Sequence, residues 1–170
     1  LHTIENVSTL QEVAEIKDEL IEEGYIRKRK NKPTNKNLTT DSRPLSFISS
    51  DGLKILVGKN NRQNDRLTLK TASKTDLWFH VRNIPGSHVV VLSSQADIPE
   101  KTILEAAELA AFHSKAKFSS NVPVDYTEIK NVKKAKGAKP GMVIYENFKT
   151  IFVTPRKNIA QMLSADIANP

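Results

Sequence analysis

Residues 76–82 read Asp-Leu-Trp-Phe-His-Val-Arg, and their alternation decides what chemistry they can offer. Successive side chains of an extended segment point to opposite faces. Asp76, Trp78, His80 and Arg82 therefore share one face, and Leu77, Phe79 and Val81 share the other. The second set is an ordinary core face. The first aligns an acid, the chain's one tryptophan, an imidazole and a guanidinium. After the turn Asn83-Ile84-Pro85-Gly86, Ser87 and His88 open a second extended segment, which brings His88 back toward that row. Rings and cations so arrayed can stack on bases and pair with phosphate. The same residues also fit a purely structural arrangement, a buried Asp–His hydrogen bond beneath an indole.

Other chemistries find less support. Asp76, His80 and His88 give an incomplete ligand set with no third His or Cys nearby, whereas zinc sites need three or four good ligands. No metal and no cofactor is expected. There is no nucleophile elbow, P-loop or recognisable carboxylate pair, so the chain is not expected to be an enzyme. Two basic segments suit anion contacts better. Gly58–Arg66 carries Lys59, Arg62 and Arg66 among amides, in a loop that opens a helix with Asn60 or Asn61 as its cap. Lys130, Lys133, Lys134, Lys136 and Lys139 crowd a second loop with Gly137 and Pro140. Such like charge needs water or an anion to screen it. A solvated loop and an RNA-phosphate contact are the two readings, and the second is preferred.

The charge balance points the same way. Over 170 residues, 26 Lys and Arg face 19 Asp and Glu, for a net +7, and the pI is near 9.6. Residues 1–23 alone hold seven acids and one base, a net of −6, which leaves +13 on residues 24–170. A field of that sign gathers polyanions, nucleic acid foremost. There are no cysteines, which excludes a disulfide scaffold and a thiol nucleophile. No apolar run reaches the roughly 18 residues of a membrane span. The chain opens on Leu1 rather than Met and has no signal peptide, so a piece of a longer intracellular protein is expected.

The elements that must position these residues follow from patterning. Residues 9–23 predict a helix: Thr9 and Glu12 form a capping box, Leu10, Val13, Ile16 and Leu20 one apolar stripe, and Gly24 the stop. Its acid-rich face is expected to be solvated, as the end of a coiled-coil arm over residues 1–30. Residues 31–43 read as a basic flexible linker. Strands are expected at Leu45–Ser49, Leu53–Val57, Leu77–Arg82, Ser87–Leu92 and Val122–Lys130, with Met142–Tyr145 and Thr150–Val153 as a closing hairpin. The turn at Pro85-Gly86 fits type II, with positive φ at the glycine. A helix capped by Asp97 and Glu100 carries Ala106, Ala107, Ala110 and Ala111 on one small-residue face. Ile159, Met162, Leu163 and Ile167 suit a short terminal helix within a tail over residues 156–170. The fold class is α+β, a mostly antiparallel sheet with packed helices.

These segments together carry a resemblance. Asp76-Leu77-Trp78-Phe79-His80-Val81-Arg82-Asn83-Ile84-Pro85-Gly86-Ser87-His88-Val89 resembles the signature of the NFACT-R domain of the NEMF/RqcH ribosome-quality-control family. Some bacterial members of that family are also called fibronectin/fibrinogen-binding proteins. The likeness recurs in residues 58–65, in the Ala-rich helix at 105–114, in Val124-Asp125-Tyr126-Thr127 with Lys133-Lys134, in Lys139-Pro140-Gly141-Met142-Val143 and in Thr150-Ile151-Phe152-Val153. It covers about residues 44–155 in family order, which frames one RNA-binding domain.

The resemblance implies partners. Family members bind obstructed large ribosomal subunits, recruit tRNA and direct C-terminal tailing of stalled chains, with alanine in bacteria. The family's NFACT-N domain and helix-hairpin-helix module lie outside this sequence, so these residues are expected to bind RNA without supporting tailing alone. The expected contacts are Lys59, Arg62, Arg82, Lys133, Lys134, Lys136 and Lys139 on phosphate, with Trp78, His80 and His88 shaping or stacking. Asn60, Asp76 and Ser87 complete the set. The implied setting is cytoplasmic and ribosome-associated. The family name also supplies a rival, a cell-surface adhesin module that binds host fibronectin or fibrinogen.

Overall fold

A computed structural model of the chain describes residues 10–22, 43–94 and 96–165. Six strands form the main sheet: β1 (Leu45–Ile48), β2 (Lys54–Val57), β3 (Leu77–Val81), β4 (Val89–Val91), β5 (Val122–Glu128) and β8 (Lys149–Val153). Their spatial order is β1-β2-β4-β3-β5-β8, and every neighbouring pair is antiparallel. The short strands β6 (Val132–Lys133) and β7 (Ile144–Tyr145) pair separately. Helices α1 (Leu10–Glu22), α2 (Asn61–Arg66), α3 (Glu100–Phe112) and α4 (Ile159–Leu163) complete the described elements. The expected α+β class, built on an antiparallel sheet, is borne out.

The sheet is covered on both faces, and alternation sorts its residues between two cores. Phe79 and Val81 of β3 join Ile55, Val57, Val89, Val91 and Val124 beneath α3. Ala106, Ala107, Ala110 and Ala111 are fully buried there, since side chains of one carbon let the helix approach the pleated surface closely. The opposite face carries Trp78, Leu56 and Val90, which pack with Leu67, Ile129 and Val132. Leu67 belongs to a π-helical turn, Leu67–Thr71, that prolongs α2. That second, smaller layer holds the candidate site.

Several expectations are corrected. Met142–Tyr145 and Thr150–Val153 do not pair: β7 joins β6, and β8 extends the main sheet beside β5. Asn147, at φ 52°, turns the chain between the two sheets, so one strand lies over the sheet and the next within it. The segment 129–131 is a 3₁₀ turn rather than the end of β5. In the β3–β4 connection the left-handed residue is Asn83 (φ 57°), not Gly86. Glycine is needed at 86 for space, because a Cβ there would sit 2.9 Å from that of Ser114. Helix α3 starts at Glu100 after an extended Pro99 with no side-chain cap, so Asp97 and Glu100 form no capping box. Within α4, Ile159 and Leu163 are buried at i, i+4 while Met162 is exposed; Ile167 lies outside the described residues.

Helix α1 agrees with the expected span and buries Ile16 of its apolar stripe, but two of its acids are buried as well. The acid-rich face is docked rather than solvated: Glu12 and Glu19 are buried, and Val13 of the apolar stripe is exposed. Glu12 pairs with Lys59, Glu15 accepts from the Asn60 side chain at 2.9 Å, and Glu19 accepts from the Asn61 N–H at 3.1 Å. The cause is the start of α2, whose exposed N–H groups and neighbouring cation attract carboxylates. Thr9, Gly24 and the 31–42 part of the linker lie outside the described residues.

Candidate nucleic-acid interface

The row read from residues 76–82 exists, but its members differ in role. Asp76 is buried, with both oxygens occupied by the Ser73 N–H (2.8 Å), the Ser93 N–H (2.9 Å) and the Ser93 hydroxyl (3.2 Å). It fastens the start of β3 to the end of β4. Trp78 is 1% exposed, a core residue of the second layer. His80 stacks parallel to it with ring centroids 5.8 Å apart, and His88 meets both rings edge-on at 5.3 and 5.5 Å. Tyr145 of β7 packs on the indole at 4.7 Å. The Trp78 Nε1 is a buried donor with no partner.

His88 is held at both nitrogens. Thr68 lies 2.7 Å from Nδ1, and the Gly141 carbonyl lies 3.1 Å from Nε2. A carbonyl only accepts, so Nε2 carries the proton and Nδ1 accepts from the Thr68 hydroxyl. Burial, with a contribution from His80, pushes the His88 pKa down to about 3. His80 is also lowered, chiefly by burial. Both rings are neutral at pH 7. The imidazoles therefore supply shape and polarity here, not charge.

Arg82 does lie on the same face, where it closes a network that sequence reasoning missed. Register places Asp125 opposite His80 and Thr150 opposite Asp125. Asp125 accepts from Arg82 Nε (3.1 Å), Tyr145 (2.6 Å) and Thr150 (2.7 Å). Burial alone would raise the Asp125 pKa, but these donors outweigh it and hold the carboxyl below the usual range. Burial and the Asp125 contact raise the Tyr145 hydroxyl in turn. Asp125 and Tyr145 gave no local signal, because their partners lie 20–43 residues away in sequence.

The basic loop is anchored at its two ends. Lys134 pairs with Asp65 of α2, whose other oxygen accepts from the Gly141 N–H at 2.8 Å. Gly141 sits at φ +81°, and a Cβ there would lie 2.6 Å from the Asn61 side chain. Between these anchors Lys136 and Lys139 are exposed, and Lys133, the last residue of β6, is exposed just before the first anchor. Lys59, Lys134 and Arg82, in contrast, are each engaged by a carboxylate. Asn60 caps α2 by accepting from the Gln63 N–H at 2.9 Å, which decides between the two expected caps. Arg62 is half-buried on the same helix. Ser87 is buried, its N–H bonded to the His113 carbonyl.

A cavity of about 480 Å³ opens where the loop meets the rings. Trp78, His80, His88 and Tyr145 form its ring walls, and Lys139 and Met142 stand at the loop side. Among the described residues, no group of three or more His, Cys, Asp or Glu is placed to hold a metal ion. No described helix is long and apolar enough to cross a membrane.

Residues 43–147 match the NFACT protein RNA binding domain. The chain belongs to that family. It is 51% identical to the Rqc2 homolog RqcH of Bacillus subtilis (strain 168) over 145 residues, 85% of this chain and 25% of that protein. It is 44% identical to the Rqc2 homolog RqcH of Streptococcus pneumoniae serotype 2 (strain D39 / NCTC 7466) over 164 residues, 95% of this chain and 29% of the relative. The chain thus spans under a third of the length of these relatives. A solved structure of the C-terminal of the fibronectin/fibrinogen-binding protein from Streptococcus suis superposes with a TM-score of 0.82 at 43% identity. That match covers 96% of this chain and 64% of the other. The resemblance read from the motifs is borne out.

Proposed function

We propose that this NFACT-R domain is a binding module, not an enzyme, that grips tRNA or ribosomal RNA within a ribosome quality-control factor. The carrying observation is a loop anchored at Lys134 and Gly141 that exposes Lys136 and Lys139, with Lys133 exposed beside the first anchor and Lys139 lining the cavity of Trp78, His80, His88 and Tyr145. Fixed cations lose less freedom on meeting phosphate than a mobile tail does. In the whole protein the domain would bind obstructed large subunits in the cytoplasm and support alanine tailing. The domain alone binds without tailing.

The test is binding to labelled tRNA across a salt series. Each phosphate neutralised contributes roughly 0.7–0.9 to the slope of log affinity against log salt. Replacing Lys133, Lys136 and Lys139 by alanine should weaken binding and flatten that slope by about 2–3. An unchanged slope contradicts the loop as the contact. Fibronectin is run in parallel, because the name of the Streptococcus suis neighbour motivates a surface adhesin as the alternative. Saturable, salt-insensitive fibronectin binding beside weak tRNA binding would favour it.

A further inference from the structure

The ring-lined cavity has a chemistry distinct from the cations beside it. Trp78, His80, His88 and Tyr145 line it; Trp78 and His88 are buried behind the half-buried rings of His80 and Tyr145, and Met142 is exposed beside them. Its volume of about 480 Å³ lies within the roughly 300–1,000 Å³ typical of small-ligand sites. Neither imidazole carries charge at pH 7, and Tyr145 keeps its proton, so no fixed charge stands among the ring walls. A phosphate inside would lose its hydration with no cation to replace it, a costly exchange. At the loop side the reverse holds, because Lys139 lines the cavity and is exposed. The arrangement favours a neutral planar ring inside and an anion outside.

The walls are also firmly placed, which stacking requires. Gly141 is fixed from both sides, its N–H by Asp65 and its carbonyl by His88, and the next residue, Met142, lines the cavity with it. Opposite the loop, Asn83 is held in the left-handed region at φ 57° and lines the cavity with an exposed amide, a group able to read a base edge.

We propose that this cavity takes one unstacked nucleobase of a single-stranded RNA segment, with the attached phosphate on Lys139. The proposal rests on the RNA-binding reading above and specifies what that surface recognises. It makes the domain a reader of unpaired nucleotides, with duplex held only through the lysine loop.

The chain's one tryptophan lies in the cavity wall, so its emission reports occupancy of this site. The experiment titrates the full 170-residue chain with the four ribonucleosides, their 5′-monophosphates, hexauridylate and hexaadenylate. Ribose 5-phosphate and inorganic phosphate are the base-free controls. Base-bearing ligands should change Trp78 emission saturably, and base-free ones should not. Loss of the stacked base should weaken binding roughly 5- to 100-fold. Lys139→Ala should remove the advantage of a monophosphate over its nucleoside while leaving nucleoside binding in place. Steep, salt-dependent tRNA binding with Trp78 emission unmoved by every base-bearing ligand would overturn the pocket and leave the RNA-binding reading standing. Saturable nucleotide binding without any tRNA binding would keep the pocket and remove that reading. An equal response to ribose 5-phosphate would also overturn the proposal.

Discussion

His88 offers the most quantitative test of the site's construction. An unfolded histidine titrates near 6.5, whereas burial and His80 hold His88 at about 3 in the folded chain. The folded state therefore refuses a proton that the unfolded state accepts. Its contribution to stability is intact above pH 6.5 and is lost as pH falls from there toward 3. Integrating the difference gives a loss of about 2 kcal/mol between pH 7 and pH 5, and about 4 kcal/mol by pH 3. Asp125 does not confuse the upper window, because its carboxyl lies below the usual range and titrates at the acid end. His88→Gln keeps an amide able to reach the Gly141 carbonyl and removes the titration. Urea denaturation at pH 7 and pH 5 should show the wild type losing about 2 kcal/mol more than the variant. In NMR, the His88 ring resonances should stay flat through pH 5. Equal losses in the two proteins, with a His88 resonance titrating near 6.5, would refute the buried, doubly hydrogen-bonded imidazole.

Three further outcomes are expected. Trp78→Ala should lower stability by about 3–5 kcal/mol in a denaturant titration, since the indole is a core residue rather than an exposed platform; a loss under 1 kcal/mol would contradict its burial. Gly141→Ala should cost about 1–2 kcal/mol for the left-handed backbone and more for the contact with Asn61. Hydrogen exchange should then report faster opening over residues 139–143, and unchanged protection would argue against the glycine as the clamp. Replacing Glu12, Glu15 and Glu19 by glutamine should free Lys59 and the start of α2, so tRNA affinity should rise several-fold at low salt with a steeper slope; unaltered binding would separate the arm from the RNA surface.

What was legible in the sequence was what repeats locally. Period-two alternation places Trp78 and His80 on one face and Phe79 and Val81 on the other, and the structure keeps that division. The alanine face of α3 and the Asn60 cap are likewise short-range features. What failed depended on long-range pairing. Met142–Tyr145 and Thr150–Val153 each carry an extended pattern, but the pattern does not say that β7 belongs with β6. Tyr145 reaches Trp78 only through that pairing. Lys133 reads as part of a loop because the two residues of β6, Val132 and Lys133, leave no periodicity to detect. The acids of α1 misled for another reason: acids on a helix face suggest solvent until a partner start such as Lys59-Asn60-Asn61 is in view. Lys59, Arg82, Lys130 and Lys134, picked by type, are already paired with carboxylates, and only the fold separates them from Lys133, Lys136 and Lys139.

The most direct measurement of where RNA lies is ultraviolet crosslinking of tRNA to the chain, with the adducts located by mass spectrometry. The account predicts adducts on the peptides that carry Trp78 to His88 and Lys133 to Tyr145. Adducts confined to the opposite side, on the exposed Leu104, Phe152 and Met162, would contradict it.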